Sequence, residues 1–457
     1  MPKIFDTTPS HNDLQVVSDL GTLEQRVKQK NKLEVKQQRK SKFDSFRERV
    51  EQTTLSDRSL STVIEQDSNS VPKCMEDVDN FSKLIDDHVV LFDQLSCGLD
   101  PDGSFRIVCA NPPSPTGTVS DASDALHMRP SSSFLTSVAR YANGKTHCRG
   151  LTGSFLNSMR NNNESKPILV QLLNHFFKQL AVSHRTRGKN DVSAKEVKLR
   201  TLRPDKDGKW AKQRVARAIL AKDYRDDISH QWVIQKLATL VPTANIIRYY
   251  FNGDLMKGAA LIPTVARVEK DSEYGGGIFF FSGEVGNRRA GVQPFLFRAV
   301  SGGITIVGQP WGVAHKGKAD LSKLGVELED YVNKQIPLVS KHIDSLLKLQ
   351  ELQFSTDDRF AVERVLIALR SLFPYMTQQD IKLWRVGADA ERNLFPNMPL
   401  SVFTLQNGIT RMTQATEDIV RQIHLEQAAG KLLTLNWESI AARAKTVSDN
   451  QVEQLFF

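Results

Sequence analysis

Cysteine is scarce in this chain. Four are present, Cys74, Cys97, Cys109 and Cys148, and no two stand as CxxC. That excludes a zinc ribbon and a dithiol redox motif, and it predicts free thiols in a reducing compartment. The ten histidines are scattered, with no HxxxH or HExxH among them, so no structural or catalytic zinc is expected. GxSxG and GxxxxGK[ST] are missing, which removes the nucleophile elbow and the Walker loop. No stretch approaches the roughly 18 apolar residues of a membrane span. The opening MPKIFDTTPSHNDLQ has no signal-peptide core, so a cytoplasmic location is expected and no membrane partner. No cofactor is implied.

Charge is what the sequence has. Lys and Arg total 61 against 52 Asp and Glu over 457 residues, a net +9. The excess is concentrated: residues 22–50 hold ten Lys/Arg against four acids, and residues 185–217 hold twelve against four. Hydrophobic residues make up 40%, enough for a sizeable core. The expected fold class is α+β, with a central, mostly antiparallel sheet, a helical lead-in and an all-helical C-terminal part. Residues 1–72 read as a basic, mostly flexible arm and linker, dispensable for folding. Residues 73–182 read as mainly helical, with Met75 to Cys97 at helical spacing; 183–312 as a β-rich domain; and 313–457 as helices near 320–353, 356–372, 377–386, 411–430 and 436–447.

The stretch GGGIFFFSGEVGNRRAGVQPFLFRAVSGG, Gly275 to Gly303, poses a choice between a phosphate loop and a sheet with tight turns. No helix follows its glycines, so neither a Walker nor a dinucleotide fingerprint fits. Strand, loop, strand is the reading, with Gly286 in a turn of positive φ. Arg288, Arg289 and Arg298 fall at its loop end or outer face as candidate anion contacts. Upstream, EVKLRTL, PDKDGK and WAKQRVARAIL read as a hairpin with one basic face. Its candidate phosphate contacts are Lys198, Arg200, Arg203, Lys209, Lys212, Arg214 and Arg217, because paired cations displace condensed counterions. Trp210, Tyr224, Tyr249 and Tyr250 are candidate stacking surfaces for unpaired bases. Asp223, Asp226 and Asp227 offer either a Mg²⁺ site or, through Asp227 or Ser229, a cap for a helix starting near His230.

The segments Arg217–Tyr224, Gly277–Gly286 and Phe297–Gly303, with MRPSSSFLTSV and KPILVQLLNHFF upstream, resemble a phage- and plasmid-borne protein family of unknown function. The resemblance covers about residues 95–350. The family's Asn-Ser-Glu reads Ser282-Gly283-Glu284 here, and its Cys-x-Asn-Gly ends as Ser301-Gly302-Gly303, so no cysteine is required at that point. The resemblance implies a mobile-element setting in a bacterial host. A flanked antiparallel sheet with a basic hairpin also resembles, at the level of architecture, the single-strand annealing proteins of phage recombination. The expected function is nucleic-acid binding without catalysis, with single-stranded DNA favoured and a homo-oligomer left open. The alternatives are a host-directed or virion-associated interaction protein, and an enzyme with a site near Gly283–Arg298.

Overall fold

The structure is a computed structural model that describes residues 43–51, 59–67, 71–110, 125–145, 151–183, 185–187, 192–194, 196–221, 224, 228–269, 272–283, 285, 289–314, 320–394 and 399–457. These form two compact units. One spans Asp57–Val300 and Ile306–Asp344. The other combines helix α1 (43–51), Ser301–Thr305 and Ser345–Phe457. The fold is α+β, as the composition and periodicity imply.

The first unit contains two sheets. Strands β1 (Ile85–Val90), β2 (Leu95–Leu99), β3 (Phe105–Cys109) and β4 (Leu126–Pro130) lie between helices α2 (Leu60–Asp67) and α3 (Val71–Ser82) and helices α4 (Ser132–Lys145), α5 (Gly153–Asn161) and α6 (Lys166–Ser183). A short hairpin, β5 (Arg185–Arg187) and β6 (Val192–Ala194), precedes β7 (Val197–Leu202) and β8 (Val215–Ala221). The first sheet runs β1-β7-β8-β4-β3-β2, and only the β4–β8 pair is parallel. Its apolar face carries Ile107, Cys109, Leu199 and Ile219 against Phe134, Leu173, Phe176 and Phe177 of α4 and α6. Alternation along VKLRTL sends Val197 and Leu199 into this core and turns Lys198 and Arg200 to the opposite face.

The second sheet follows helix α7 (His230–Leu240), whose N-cap is Ser229, accepting from the Trp232 amide at 3.1 Å. Strands β9 (Asn245–Phe251), β10 (Leu255–Glu269), β11 (Ser272–Gly283) and β12 (Ala290–Arg298) are sequential antiparallel neighbours. After β13 (Gly303–Ile306), β14 (Trp311–Val313) pairs with the start of β12. Helices α3, α7 and α8 (Leu321–Lys348) cover one face through Val78, Ile234, Leu328 and Val332 against Ile246, Met256, Ile278 and Phe280.

The glycine-rich stretch is therefore strand, not phosphate loop. Gly275, Gly276 and Gly277 sit mid-strand in β11. A Cβ on Gly276 would lie 2.2 Å from Val339 Cγ1 of α8, and one on Gly277 would lie 2.0 Å from the Ala260 carbonyl oxygen. The glycines let a helix and a neighbouring strand come close. Gly286, expected in a positive-φ turn, lies outside the described residues.

The second unit is helical. Helices α9 (Ala361–Arg370), α10 (Gln378–Leu394), α11 (Val402–Ala415), α12 (Ile419–Lys431), α13 (Trp437–Ala444) and α14 (Asp449–Phe456) share a core around Leu366, Phe373, Trp384, Leu405, Ile409 and Ala428. Helix α11 is central, with residues on every side buried. It approaches α10 at a glycine pair, where a Cβ on Gly387 would lie 2.6 Å from the Gly408 carbonyl oxygen.

Three sequence expectations change. Residues 1–72 do not read through as a dispensable arm: Phe46 and Val50 of α1 are buried in the core of the helical unit, and residues 60–67 are helix α2. Sparse apolar residues hid this, since two anchors on a short helix leave no long stripe. The Met75–Cys97 helix ends at Ser82, and Ile85–Val90 is strand β1, whose apolar residues coincide by chance with helical spacing. The expected helix 411–430 is two helices, and α11 begins nine residues earlier, at Val402. A helix buried all round shows no amphipathic period to read.

Candidate nucleic-acid interface

The β7–β8 hairpin forms as its sequence implies, with Val197 opposite Ala221 and Leu202 opposite Val215. Its register slips between Arg200 and Thr201, leaving Arg217 as the unpaired bulge residue. The connecting loop is closed by Asp205, whose carboxylate accepts from the Trp210 and Ala211 amides at 3.0 and 3.3 Å. Gly208 takes φ +64° there, a region that glycine enters without steric cost.

Most of the candidate phosphate contacts are engaged inside the protein. Arg200 is buried and donates from Nε and Nη2 to both oxygens of Asp87 at 2.8 and 2.7 Å. Lys198 Nζ lies 3.8 Å from the same carboxylate and donates to the Tyr224 carbonyl at 3.4 Å. Arg214 donates to Asp86 at 2.8 Å and to Thr201 Oγ1 at 3.1 Å. Arg203 Nε lies 3.4 Å from Asp86, and its Nη2 donates to the Lys83 carbonyl. The bulge aims Arg217 at Asp254, with bonds of 3.1 and 2.9 Å, and at the Gly253 carbonyl; its guanidinium also covers the Phe81 ring at 4.8 Å. Lys209 pairs with Asp77 at 2.6 Å and sits 4.8 Å over the Trp210 ring.

The hairpin thus brings Lys198, Arg200, Arg203, Arg214 and Arg217 together, but around carboxylates of β1 and the β9–β10 turn. At its root the cations serve the fold: Arg200 is 4% and Arg217 2% exposed. Arg298 is buried too, opposite Tyr274 in β11, with Nη2 3.4 Å from Ser272 Oγ, so neither the loop end nor the outer face is its place. Arg289 is exposed ahead of β12, and Arg288 lies outside the described residues. Exposure is concentrated at the hairpin tip. Arg203, Lys206, Lys209, Lys212 and Gln213 are exposed, and Lys206 and Lys212 make no ion pair among the described residues.

The candidate stacking rings are partly committed. Trp210 meets Phe81 and Phe251 edge-on, each at 5.2 Å. Tyr249 stacks on Phe251 and donates to the Cys74 carbonyl at 3.4 Å. Tyr250 accepts from Asn252 at 2.8 Å, and the Tyr224 ring lies under Arg200 at 5.8 Å. Ser229 caps α7, while Asp223, Asp226 and Asp227 lie outside the described residues. Among the described residues no group of three or more His, Cys, Asp or Glu could hold a metal ion, and no helix is long and apolar enough to cross a membrane. Sequence reading does not single out Lys206 in the PDKDGK loop, nor the four acids, whose distance along the chain gives no local signal. Comparison with protein-family models, with curated proteins and with solved structures finds no match.

Proposed function

We propose that the chain binds nucleic acid without catalysing a reaction on it, through the exposed tip of the β7–β8 hairpin. The observation that carries this reading is the division within the hairpin. Root arginines are buried or half-buried against carboxylates, whereas Lys206 and Lys212 are exposed with no ion pair among the described residues, and Arg203 and Lys209 remain exposed beside Asp86 and Asp77. Residues 203–214 hold five Lys/Arg against two Asp in a chain of net charge +9. Such a tip suits a sugar-phosphate backbone, with affinity that depends on salt rather than on base sequence. The resemblance to a phage- and plasmid-borne family supports a role in replication or recombination in a bacterial cytoplasm, with single-stranded DNA as the favoured partner. Arg200, Arg217 and Arg298 leave the set of contacts, because their guanidiniums are buried, the first two against carboxylates and the third within the second sheet.

Mobility shift on single- and double-stranded DNA and on RNA across a salt series tests this. Replacing Lys206, Lys209 and Lys212 together by Ala should flatten the log–log salt slope by about 2, at roughly 0.7 per contact on a single strand. A wild-type protein that binds none of the three at low salt, or a triple variant with the wild-type slope, sinks the reading. The host-directed interaction protein then takes its place.

A further inference from the structure

The helical unit holds a cavity of about 270 Å³ where the turn after α9, the start of α10 and the first half of α12 meet. One wall is aromatic: the Tyr375 and His424 rings lie 5.3 Å apart at 35°. Phe373 braces Tyr375 edge-on at 6.2 Å. The buried Met376 and Leu425 add apolar lining.

The polar edge is formed by Asp380 and Arg421, with Gln379 beside them. Asp380 is buried, and its Oδ2 accepts from the Thr377 amide and hydroxyl, both at 2.8 Å. Those two bonds fix the carboxylate plane. Its Oδ1 accepts from Arg421 Nη2 and keeps a lone pair free. Arg421 spends one N–H on that bond and rests its guanidinium 5.3 Å over the Phe46 ring. Its remaining donors have room for a second acceptor. An oriented acceptor and an oriented donor fork thus stand side by side next to a tilted aromatic pair.

We propose that this cavity binds a guanine-type nucleobase, carried by a free nucleotide or by an unpaired nucleotide of a strand. Stacking on the half-exposed Tyr375 ring, which His424 backs at a tilt, supplies contact area that any base satisfies. The edge supplies the choice: one guanine Watson–Crick donor, N1–H or N2–H, matches the remaining lone pair of Asp380 Oδ1, and O6 and N7 match the Arg421 fork. The volume is just below the roughly 300–1,000 Å³ of common small-molecule pockets, so it takes one ring system. The carboxylate at the rim disfavours a phosphate as the recognised group. This site shares no residue with the hairpin tip and does not depend on it.

The full-length protein is titrated calorimetrically with guanosine, guanosine monophosphate, adenosine and ribose 5-phosphate. Guanosine and its monophosphate should bind alike, adenosine at least tenfold more weakly, and ribose 5-phosphate not at all. A thymidine oligonucleotide carrying one guanine separates the sources: displacement of guanosine by it identifies a strand, and no displacement identifies a free nucleotide. Tyr375→Ala and Arg421→Lys should each weaken guanosine about tenfold or more. Tyr375 is 44% exposed, so its truncation leaves the fold standing. The Lys206, Lys209 and Lys212 triple variant should bind guanosine as the wild type does, whether or not the hairpin reading holds. No saturable guanosine binding at millimolar concentration, equal binding of ribose 5-phosphate, or unchanged affinity in Tyr375→Ala overturns the proposal.

Discussion

Arg200 and Asp87 stand directly opposite each other on β7 and β1 and join through two charge-assisted hydrogen bonds of 2.8 and 2.7 Å. A planar fork on a planar carboxylate is the strongest form of such a pair. It ties the edge strand β1 to the hairpin, and Lys198 adds a second cation to the same acid.

Removing the acid should therefore cost stability. Asp87→Ala leaves a guanidinium that is 4% exposed without its main partner. The expected loss is roughly 2–4 kcal/mol, between an exposed pair and a fully buried one. Urea unfolding measures it, and an unchanged midpoint would mean that Arg200 is free to rotate out. The same logic extends to the other root arginines. Ala at Arg200, Arg214 and Arg217 together removes three paired side chains, so it should destabilise the unit rather than spare it.

Gly276 and Val339 make a second test. A Cβ at Gly276 would lie 2.2 Å from Val339 Cγ1 and 2.8 Å from the Phe295 carbonyl oxygen. Gly276→Ala should destabilise by roughly 1–3 kcal/mol through overpacking. Val339→Ala in the same chain should recover part of that loss, since it clears the closer of the two clashes. A double-mutant cycle with no coupling would show that α8 does not rest on β11 at this point.

How much of this could be read beforehand differs from element to element. The hairpin was legible because VKLRTL and VARAIL alternate and PDKDGK can only turn between them. The cap at Ser229 was one of two candidates. Strand β11 was legible by elimination, since no helix follows its glycines. The fate of the arginines was not. Asp87 is 113 positions from Arg200 and Asp254 is 37 from Arg217, and no local pattern links them. A basic alternation looks the same whether its charges meet water or a carboxylate on the next strand. Helix α11 was cut short because Gln406, Asn407, Thr410 and Arg411 are polar yet buried, which blurs the pattern that marks a helix face. The aromatic cavity drew on Tyr375 and His424, 49 positions apart by their numbering, and was invisible for the same reason.

Helix α1 should act as an anchor for the helical unit. Val50 is fully buried and Phe46 is 8% exposed; Arg49 pairs with Glu417, and Arg421 covers Phe46 at 5.3 Å. Phe46→Ala should cost about 3 kcal/mol, in the range for truncating a buried aromatic. A chain beginning near Val71 should then melt lower than one beginning at residue 40. Equal melting temperatures would restore the reading of residues 1–72 as dispensable.

The buried thiols set an alkaline limit on stability. Burial pushes Cys74 from an ordinary value of 9.0 up to about 12, with Asp77 adding to the rise. Burial alone raises Cys109 to about 11, and it raises Cys97 as well. The native state thus favours the neutral thiol, while the unfolded chain ionises near 9. The stabilisation is fully present below that point and is lost as pH climbs towards the folded values. Urea midpoints should fall between pH 9 and 11, and less steeply in Cys109→Ala, which removes one of the titrating groups. At pH 8 the thiolate is the reactive species and is nearly absent at these three sites. Iodoacetamide followed by peptide mass spectrometry should leave Cys74, Cys97 and Cys109 unlabelled in native buffer and label them in urea. Rapid native labelling of Cys109 would mean that the α4–α6 layer over β3 opens far more often than its packing implies.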